Sequence, residues 1–400
     1  MQNLLNTLLR GLSLLISGVA FFLTLWIVVP APTFTLLPLG VGAPEISPWL
    51  IGTNVIAALL SLRYVHKSWL FRLVLAVSLF SLVISTLPLS QFAATNQRAE
   101  ISLQTALGTD YLAQIAPTAQ RRMRPHPFVL LDAFRGIAEE PVRITAGIPF
   151  ATPDGVSLTL TVYHPPLKGE YPTIVVIYGG AWQHGSPNDD APFSRYMAAQ
   201  GYTVVAIDYR HAPQYRFPAQ LDDVKTALTY IQQHATELEV DLDRVALMGR
   251  SAGAHLAMLT AYQPNSISIP IRAVVSYYGP VDLTKGYYDL PHPDPINSRA
   301  VLKALLGGTP EEKPALYKQA SPYNYVQQAL PTTLLIYGGR DHLVQAKFGR
   351  SLYDRLQATD NRAVWIEIPW AEHAFDKVFN GVSNQLALYY TERFLAWALT

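Results

Sequence analysis

The chain contains a serine whose flanking glycines have the spacing of an exposed catalytic nucleophile. Residues 249–253 read Gly-Arg-Ser-Ala-Gly, with Ser251 at the centre. A nucleophilic serine of this kind sits on a strained turn between a strand and a helix, where side chains at the glycine positions would collide with neighbouring backbone. An apolar run, residues 244–248, precedes the motif, and a helical pattern, residues 252–262, follows it. This context favours a nucleophile over an ordinary strand-to-helix turn.

A serine nucleophile needs a histidine base and a carboxylate, and candidates for both follow the last two apolar runs of the chain. Asp341 comes after the first of these runs and His373 after the second, which is the chain order Ser, Asp, His. We therefore predict that His373 accepts the proton of Ser251 and that Asp341 orients the imidazole. Asp282, which follows an earlier run, is the alternative acid.

A glycine pair near the middle of the chain predicts an oxyanion hole. Residues 178–182, Tyr-Gly-Gly-Ala-Trp, follow the apolar run 173–177. Main-chain N–H groups of Gly179 and Gly180, together with the amide of Ala252, would stabilise the negative charge that develops on a carbonyl oxygen. An ordinary Gly-Gly turn is the alternative interpretation.

The elements that position these residues are predicted from about residue 142 onward. Unbroken β-branched runs that alternate with helical patterns indicate an α/β fold with a mostly parallel sheet covered on both faces. Residues 143–150 and 157–165 flank a Pro-Asp-Gly turn and predict an antiparallel hairpin at one edge. Ligands and catalytic groups of such sheets gather at the carboxyl ends of the strands. The predicted parallel strands are 173–179, 203–209, 244–249, 272–279, 332–339 and 363–370.

The first 90 residues concentrate the hydrophobicity of a chain that is 50% hydrophobic and 15% charged. Three apolar stretches, residues 11–29, 46–62 and 69–89, each have roughly the length of a membrane-spanning helix. A cleaved secretory signal is the alternative for the first stretch, but its apolar run is too long for one. We predict a transmembrane region over residues 1–90.

The positive charges near these helices predict their orientation. Arg10 precedes the first helix, Arg63 and Lys67 lie between the second and third, and the loop 30–48 has no Lys or Arg. The positive-inside rule places the N-terminus in the cytoplasm. Three crossings then make the catalytic domain extracytoplasmic; if the second helix does not span, the orientation reverses.

Two segments connect or interrupt these regions. Residues 91–141 form a predicted linker, in which apolar residues recur near helical spacing and indicate an amphipathic helix: Ile101, Leu107, Tyr111 and Ile115. This linker either packs on the domain surface or lies on the membrane or over the mouth of the active site. The catalytic domain, residues 142–400, contains an insertion at about 280–331 that could cap the pocket or simply pack against it.

The composition of the chain argues against several functions and excludes sites that need cysteine. The formal net charge of +1 and the absence of Lys/Arg-rich runs argue against nucleic-acid binding. The chain has no cysteine, so disulfides, thiolate metal sites and a cysteine nucleophile are excluded. The predicted chemistry uses no cofactor and no metal, and the sequence gives no prediction about the oligomeric state.

Three motifs, "YGGAW", "DYRHAPQYRFPAQLDDV" (residues 208–224) and "GRSAGAH", carry a family resemblance. With them the region 142–400 resembles the α/β-hydrolase fold, in particular the hormone-sensitive-lipase-like and feruloyl-esterase-like (BD-FAE-type) branch of esterases and lipases. It is also similar to membrane-bound prenylcysteine methylesterases. The resemblance implies a nucleophile, an acid and a base at Ser251, Asp341 and His373. It implies oxyanion donors at Gly180, Ala181 and Ala252.

Three positions depart from the family pattern and bear on the substrate. Tyr178 stands where the oxyanion loop usually begins with His, Arg250 stands where Asp or Glu commonly precedes the serine, and Ala254 replaces a glycine. Tyr178 and Arg250 are candidate pocket residues. Trp182 is a third candidate, with a place in the core as its alternative.

Together these features predict a membrane-anchored serine hydrolase that cleaves a small-molecule or lipid-like carboxylic ester through an acyl-enzyme intermediate. The bilayer is the second predicted partner. An aryl formamidase or a peptidase could use the same triad, and a non-catalytic interaction domain is the alternative outside enzymes.

Overall fold

The computed structural model describes residues 2–264 and 267–400 and begins with a group of long apolar helices. Two of these, over Thr7–Leu25 and Trp69–Leu107, are long and apolar enough to cross a membrane. A third possible span is the bent pair Phe34–Glu45 and Ser47–Leu62, whose halves meet at 80°. The helices are α1 (Gln2–Leu25), α2 (Leu37–Glu45), α3 (Ser47–Leu62) and α4 (Trp69–Leu107), with a 3-10 turn at Phe34–Leu36.

The bounds of these helices differ from the predicted ones. The first begins at Gln2 and ends at Leu25, whereas residues 11–29 were expected. Its apolar run continues to Val29, but the last four residues form turns. The helix predicted at 46–62 is α3, and the chain bends just before it because Pro48 cannot continue the hydrogen-bond ladder of α2.

The helix predicted to end at residue 89 continues to Leu107 and takes in the first third of the predicted linker. This second half of α4 packs on the sheet region: Ala99, Leu103 and Leu107 are buried, and Ser102 Oγ accepts a hydrogen bond of 3.0 Å from the amide of Trp365. Ile101 of the expected apolar stripe is exposed instead. The connector is therefore helical and docked on the domain surface over these residues.

The sheet has eight strands within the described residues, in the order β1-β2-β4-β3-β5-β6-β7-β8. The β1–β2 and β2–β4 pairs are antiparallel, and the pairs from β4 to β8 are parallel. The hairpin thus lies at one edge, as the sequence predicts. The strands are β1 (Arg143–Ala151), β2 (Leu158–His164), β3 (Tyr171–Ile177), β4 (Thr203–Ile207), β5 (Val240–Arg250), β6 (Ile271–Tyr277), β7 (Thr332–Gly338) and β8 (Ala363–Ile368).

Helices and loops follow the strands, and the buried side chains of the parallel strands form one large core with them. Continuous β-branched runs account for this arrangement, because strands buried on both faces have no solvent-facing side to keep polar. The helices are α5 (Tyr111–Gln114), α6 (Pro117–Gln120), α7 (Leu130–Arg135), α8 (Ala191–Ala199), α9 (Ala219–Gln233), α10 (Ala252–Tyr262), α11 (Leu283–Tyr288), α12 (Ser298–Leu306), α13 (Pro314–Gln319), α14 (Ala346–Ala358) and α15 (Val382–Ala398).

Candidate active site

Ser251 occupies a strained turn between β5 and α10. Its backbone has φ 50° and ψ −119°, a region that a residue with a side chain rarely adopts. The turn is held because the Ser251 amide donates a 2.9 Å hydrogen bond to the carbonyl of Tyr277 at the end of the neighbouring strand. Strain of this kind persists only where the surrounding structure enforces it. It places the side chain at the carboxyl edge of the sheet.

The glycines on either side of Ser251 are required by close backbone contacts. A Cβ on Gly249 would lie 2.2 Å from the carbonyl carbon of Gly253. A Cβ on Gly253 would lie 2.0 Å from the carbonyl oxygen of Ile177, at the end of β3. These distances are far inside van der Waals contact. The Gly-x-Ser-x-Gly spacing therefore lets β5, α10 and β3 meet behind the serine.

The loops after β7 and β8 bring Asp341 and His373 to the same point. Ser251 Oγ lies 3.0 Å from His373 Nε2, and His373 Nδ1 lies 2.7 Å from Asp341 Oδ2. Asp341 Oδ1 also accepts hydrogen bonds from the amides of Leu343 (2.8 Å) and Val344 (2.7 Å). Burial raises the pKa of the Asp341 carboxyl, and the adjacent His373 offsets part of that rise. The three predicted residues thus form a continuous chain of hydrogen bonds.

The alternative acid, Asp282, has a different contact. Its carboxylate accepts a 3.0 Å hydrogen bond from the amide of Lys285 and caps the N-terminus of α11. It borders the same cavity as Ser251, while the carboxylate that contacts His373 belongs to Asp341.

The loop after β3 presents main-chain amides beside the serine. A Cβ on Gly179 would lie 2.9 Å from the carbonyl of Arg250, so this loop passes close to the nucleophile turn. Gly180 and Ala181 have positive φ angles of 128° and 53°. Within the described chain, the amides of Gly180, Ala181 and Ala252 donate no hydrogen bond to a protein group. Ala252 also begins α10, whose N-terminal end favours negative charge.

Trp182 is both buried and part of the cavity wall. Its indole N–H donates to His255 Nδ1 at 3.2 Å, and His255 Nε2 donates to the carbonyl of Ala320 at 2.6 Å. Burial lowers the pKa of His255 to about 4, so this histidine is neutral. Both interpretations of Trp182, core and pocket wall, therefore apply.

Tyr178 has contacts that differ from the predicted role in the pocket. Its hydroxyl donates to Asp208 at 2.6 Å and lies 2.9 Å from His211 Nε2, while its ring stacks on Tyr209. The first residue of the oxyanion loop thus ties that loop to the segment after β4. Tyr178 is not among the residues that line the cavity in front of Ser251, and its role toward substrate stays a prediction.

Arg250 borders the cavity, but its charge is engaged in a buried cluster. The side chain is 4% exposed and forms ion pairs with Asp376 and, at 3.4 Å, with Asp190. Its guanidinium also lies over the ring of Phe193. Arg250 therefore stays a candidate pocket residue by its position, while its charged group is paired with buried carboxylates. The buried carboxylates of Asp190 and Asp376 balance the charge of Arg250, which explains how an arginine is accommodated before the serine.

Two acidic residues of the site were not predicted. Glu372 accepts hydrogen bonds from the amides of His342 (2.6 Å) and His373 (2.9 Å) and from the ring of His342 (2.5 Å), so it joins the acid loop to the base loop. Asp376 accepts a hydrogen bond from Tyr278, whose ring packs 4.4 Å from that of His373. Both lie within three residues of His373 in sequence, which is the only signal that pointed to them.

A cavity of about 360 Å³ opens in front of Ser251. This volume is at the lower end of the range for small-molecule sites. Its walls are mostly apolar and come from the loops after β6 and β7, from α12 and from the segment before α2. In the described part of the chain, no group of three or more His, Cys, Asp or Glu side chains is arranged to hold a metal ion.

The site can support acyl transfer. It supplies a serine on a strained turn, a histidine in hydrogen-bond contact with it, a carboxylate that orients the histidine, and unpaired amides beside the serine. Nucleophilic attack on a carbonyl carbon uses these groups together.

Comparisons with known proteins show what this region is similar to. Residues 160–356 match the BD-FAE family model, a range that contains Ser251 and Asp341 and ends before His373. The chain is 32% identical to the probable carboxylic ester hydrolase LipM of Mycobacterium tuberculosis over 243 residues, 58% of this chain and 55% of the relative. It is 27% identical to the probable isoprenylcysteine alpha-carbonyl methylesterase ICMEL1 of Arabidopsis thaliana over 49% of this chain and 44% of that protein. The chain thus spans about half the length of the curated relatives it matches.

A solved structure agrees with this assignment. The thermophilic esterase Est2 of Thermogutta terrifontis superposes with a TM-score of 0.50 and 26% identity, over 63% of this chain and 89% of that one. The resemblance predicted from the three sequence motifs is confirmed. The α/β region is thus similar in sequence to the BD-FAE model over residues 160–356 and similar in fold to a solved esterase.

Proposed function

We propose that the chain is a membrane-anchored serine hydrolase that cleaves carboxylic esters through the triad Ser251, His373 and Asp341. The observation that carries this proposal is the hydrogen-bond chain of 3.0 Å and 2.7 Å through the two nitrogens of His373. The relatives that bear the words ester hydrolase, esterase and methylesterase in their names support an ester over an amide substrate.

Acylation follows from the geometry. Ser251 Oγ attacks the carbonyl carbon of the ester while His373 Nε2 takes the hydroxyl proton. The carbonyl electrons move to the oxygen, whose charge the amides of Gly180, Ala181 and Ala252 stabilise. As the C–O bond to the alcohol breaks, His373 returns the proton to the leaving oxygen, and the acyl group remains on Ser251.

Deacylation uses the same groups in reverse. His373 removes a proton from water, and the resulting hydroxide attacks the acyl carbon. Ser251 Oγ leaves and regains its proton from His373, and the carboxylic acid is released. Asp341 remains ionised in both steps and holds the His373 Nδ1–H toward itself.

The surface of α1, α3 and α4 supports the membrane anchor. Small polar side chains face one another inside this helix group: Ser13 with Ser61, Ser17 with Ser78, and Thr24, Asn54 and Ser85 together. Large apolar side chains face outward, among them Leu15, Phe22, Leu59, Phe80 and Val83. This distribution is the reverse of a water-soluble helix bundle and is typical of helices packed in lipid.

The packing of the helix ends supports an extracytoplasmic catalytic domain. The end that carries Arg10 and Lys67 clusters around Tyr64. The opposite end contacts the linker and the α/β domain: Trp49 of α3 donates to the carbonyl of Ala133 in α7, and Glu45 of α2 accepts a 2.7 Å hydrogen bond from the amide of Ser383. Since the positive end belongs in the cytoplasm, the domain belongs on the other side. Exposed Leu130, Leu131 and Phe134 of α7, next to Trp49, suit the membrane surface.

Labelling and hydrolysis test the chemistry. Full-length protein in detergent is expected to react with a fluorophosphonate probe and to hydrolyse p-nitrophenyl butyrate faster than the matching anilide. Ser251→Ala is expected to lose both activities, and Ser268→Ala, an exposed serine outside the site, is expected to keep them. Wild-type protein that does not label would support the interaction-domain alternative, and faster anilide cleavage would support a peptidase.

Thiol labelling tests the orientation, because the native chain has no cysteine. Leu167→Cys, on a residue that is 76% exposed in the α/β domain, is expected to react with an impermeant maleimide in intact cells. Lys67→Cys is expected to react only after the membrane is opened. The reverse pattern would contradict the proposed orientation.

A further inference from the structure

The catalytic cavity is not built by the α/β domain alone. Phe34, in the 3-10 turn before α2, and Leu37, the first residue of α2, line it together with Ser251 and His373. This segment lies outside the residues that match the family model, which begin at residue 160. The membrane region therefore contributes wall residues to the site.

Specific contacts hold the segment after α1 against the loop that carries Asp341. The guanidinium of Arg340, next to the acid of the triad, donates a 2.6 Å hydrogen bond to the carbonyl of Val28. Leu343, which follows that acid, packs against a cluster formed by Ala31, Leu37 and Val41. The acid loop and the segment after α1 are thus docked on each other.

Apolar packing links the helix group to the cavity that contains Ser251. Trp26 packs against the cluster at the end of the helices, which contains Ile27 and Leu50, and also against the cluster of Ala31, Leu37 and Val41. Leu343 packs on the second cluster and lines the cavity. Buried apolar contacts thus connect the helix group to the wall of the cavity.

We propose that Phe34 and Leu37 form an acyl-binding wall, and that the substrate is a long-chain acyl ester that enters the cavity from the bilayer. The inference rests on the proposed ester hydrolase function and adds the substrate class and the route. Phe34 is 61% exposed, so one part of its ring is free to contact an entering chain. Other parts of the lining suit the same ligand, since Ile296, Val301 and Leu302 of the insertion are apolar.

The position of Phe34 explains why the acyl chain of the substrate would come from lipid. Phe34 follows the end of α1 by nine residues (34 minus 25), which places it near the end of the apolar span. Long acyl chains reside in the bilayer because every added methylene disfavours water. An ester that enters from the bilayer moves its acyl chain from lipid into a mostly apolar cavity.

Acyl-chain selectivity tests the wall. Full-length protein in phosphatidylcholine vesicles is assayed with p-nitrophenyl acetate and p-nitrophenyl laurate. The variant Phe34→Ala/Leu37→Ala is expected to lower kcat/KM for laurate about tenfold, a typical effect of lost apolar contact in a pocket. Acetate, which has no chain to reach the wall, is expected to change less than twofold. Phe80→Ala, which removes a phenylalanine of α4 that is 56% exposed, is the matched control and is expected to change neither rate.

Equal loss on both esters, or no loss on laurate, would overturn the acyl wall. Failure of the proposed function has a separate signature: neither ester is hydrolysed, or Ser251→Ala still hydrolyses both. The fraction of protein that labels with fluorophosphonate corrects every rate for correctly folded sites, so a misfolded variant is not mistaken for a selective one.

The route is tested with 4-methylumbelliferyl oleate. The ester is placed either in the vesicles that contain the protein or in protein-free vesicles mixed with them. At least tenfold faster hydrolysis in the shared vesicles is expected if the ester enters from the bilayer. Equal initial rates would show delivery through water and overturn the bilayer route.

Discussion

Replacement of Asp341 by asparagine is expected to invert the hydrogen-bond polarity of the triad. Asp341 Oδ1 accepts the amides of Leu343 and Val344, and Oδ2 accepts His373 Nδ1–H. In Asp341→Asn the side-chain oxygen must stay with the two amides, because only an oxygen can accept them. The side-chain NH₂ then faces His373 Nδ1. The imidazole therefore carries its proton on Nε2, directed at Ser251, and cannot act as the base.

The size of this effect follows from the wrong tautomer. An asparagine in this position lowers kcat about 10⁴-fold in a triad of this geometry, which corresponds to about 5.4 kcal/mol of transition-state stabilisation. The assay is hydrolysis of p-nitrophenyl butyrate by full-length protein in detergent, with the rate of fluorophosphonate labelling as a second measure. The thermal unfolding midpoint should change little, because the substitution keeps the shape of the side chain and both amide hydrogen bonds.

Asp282→Asn is the matched control, since Asp282 borders the same cavity. Asparagine caps helices about as well as aspartate, so the hydrogen bond from Lys285 to position 282 is kept and activity is expected within about threefold of wild type. A tenth or more of wild-type activity in Asp341→Asn would refute the assignment of the acid. A 10³-fold loss in Asp282→Asn would move that role to Asp282.

Three further substitutions have distinct expected outcomes. Gly253→Ala places a methyl group 2.0 Å from a carbonyl of β3 and is expected to slow fluorophosphonate labelling at least about 100-fold by opening the nucleophile turn. Asp376→Ala removes one partner of a buried ion pair with Arg250 and is expected to cost about 3 kcal/mol, measured by chemical unfolding. Glu372 raises the pKa of His342 from 6.5, so this pair stabilises the fold fully below pH 6.5 and loses its effect as pH rises through the raised pKa. Glu372→Gln is therefore expected to lower the unfolding midpoint more at pH 6 than at pH 9, and an equal shift at both values would contradict the role of the pair.

The sequence allowed the sheet to be predicted because its physical signals are local. Each buried strand is an unbroken β-branched run, and helix α10 has the predicted bounds, residues 252–262. The order of the strands was not predictable, because it depends on which side each connection crosses. The extent of α4 was missed for a related reason: its first half faces outward with apolar residues and its second half with polar ones, so one continuous helix changes composition near residue 90.

The three triad positions were predictable from a topological rule. Groups at the carboxyl ends of parallel strands meet at one edge, and the structure brings Ser251, His373 and Asp341 together there. Partners that are distant in sequence gave no such signal. Nothing near Arg250 indicates Asp190 or Asp376, and nothing near Phe34 indicates a cavity whose serine lies more than 200 residues away.

The buried cluster around Arg250 neutralises the positive charge that this residue would otherwise present to a substrate. Burial alone would raise the pKa of the Asp376 carboxyl. The positive charge of Arg250 outweighs this effect and holds that pKa below its ordinary value. Lys377 pairs with Asp190 at 3.0 Å, so two cations face two carboxylates and the cluster is balanced. Asp376 in turn accepts a hydrogen bond from the hydroxyl of Tyr278, whose ring packs on His373. Arg250 therefore supports the base from behind the nucleophile and supplies no net charge to attract an anionic substrate, which leaves selectivity to the apolar walls of the cavity.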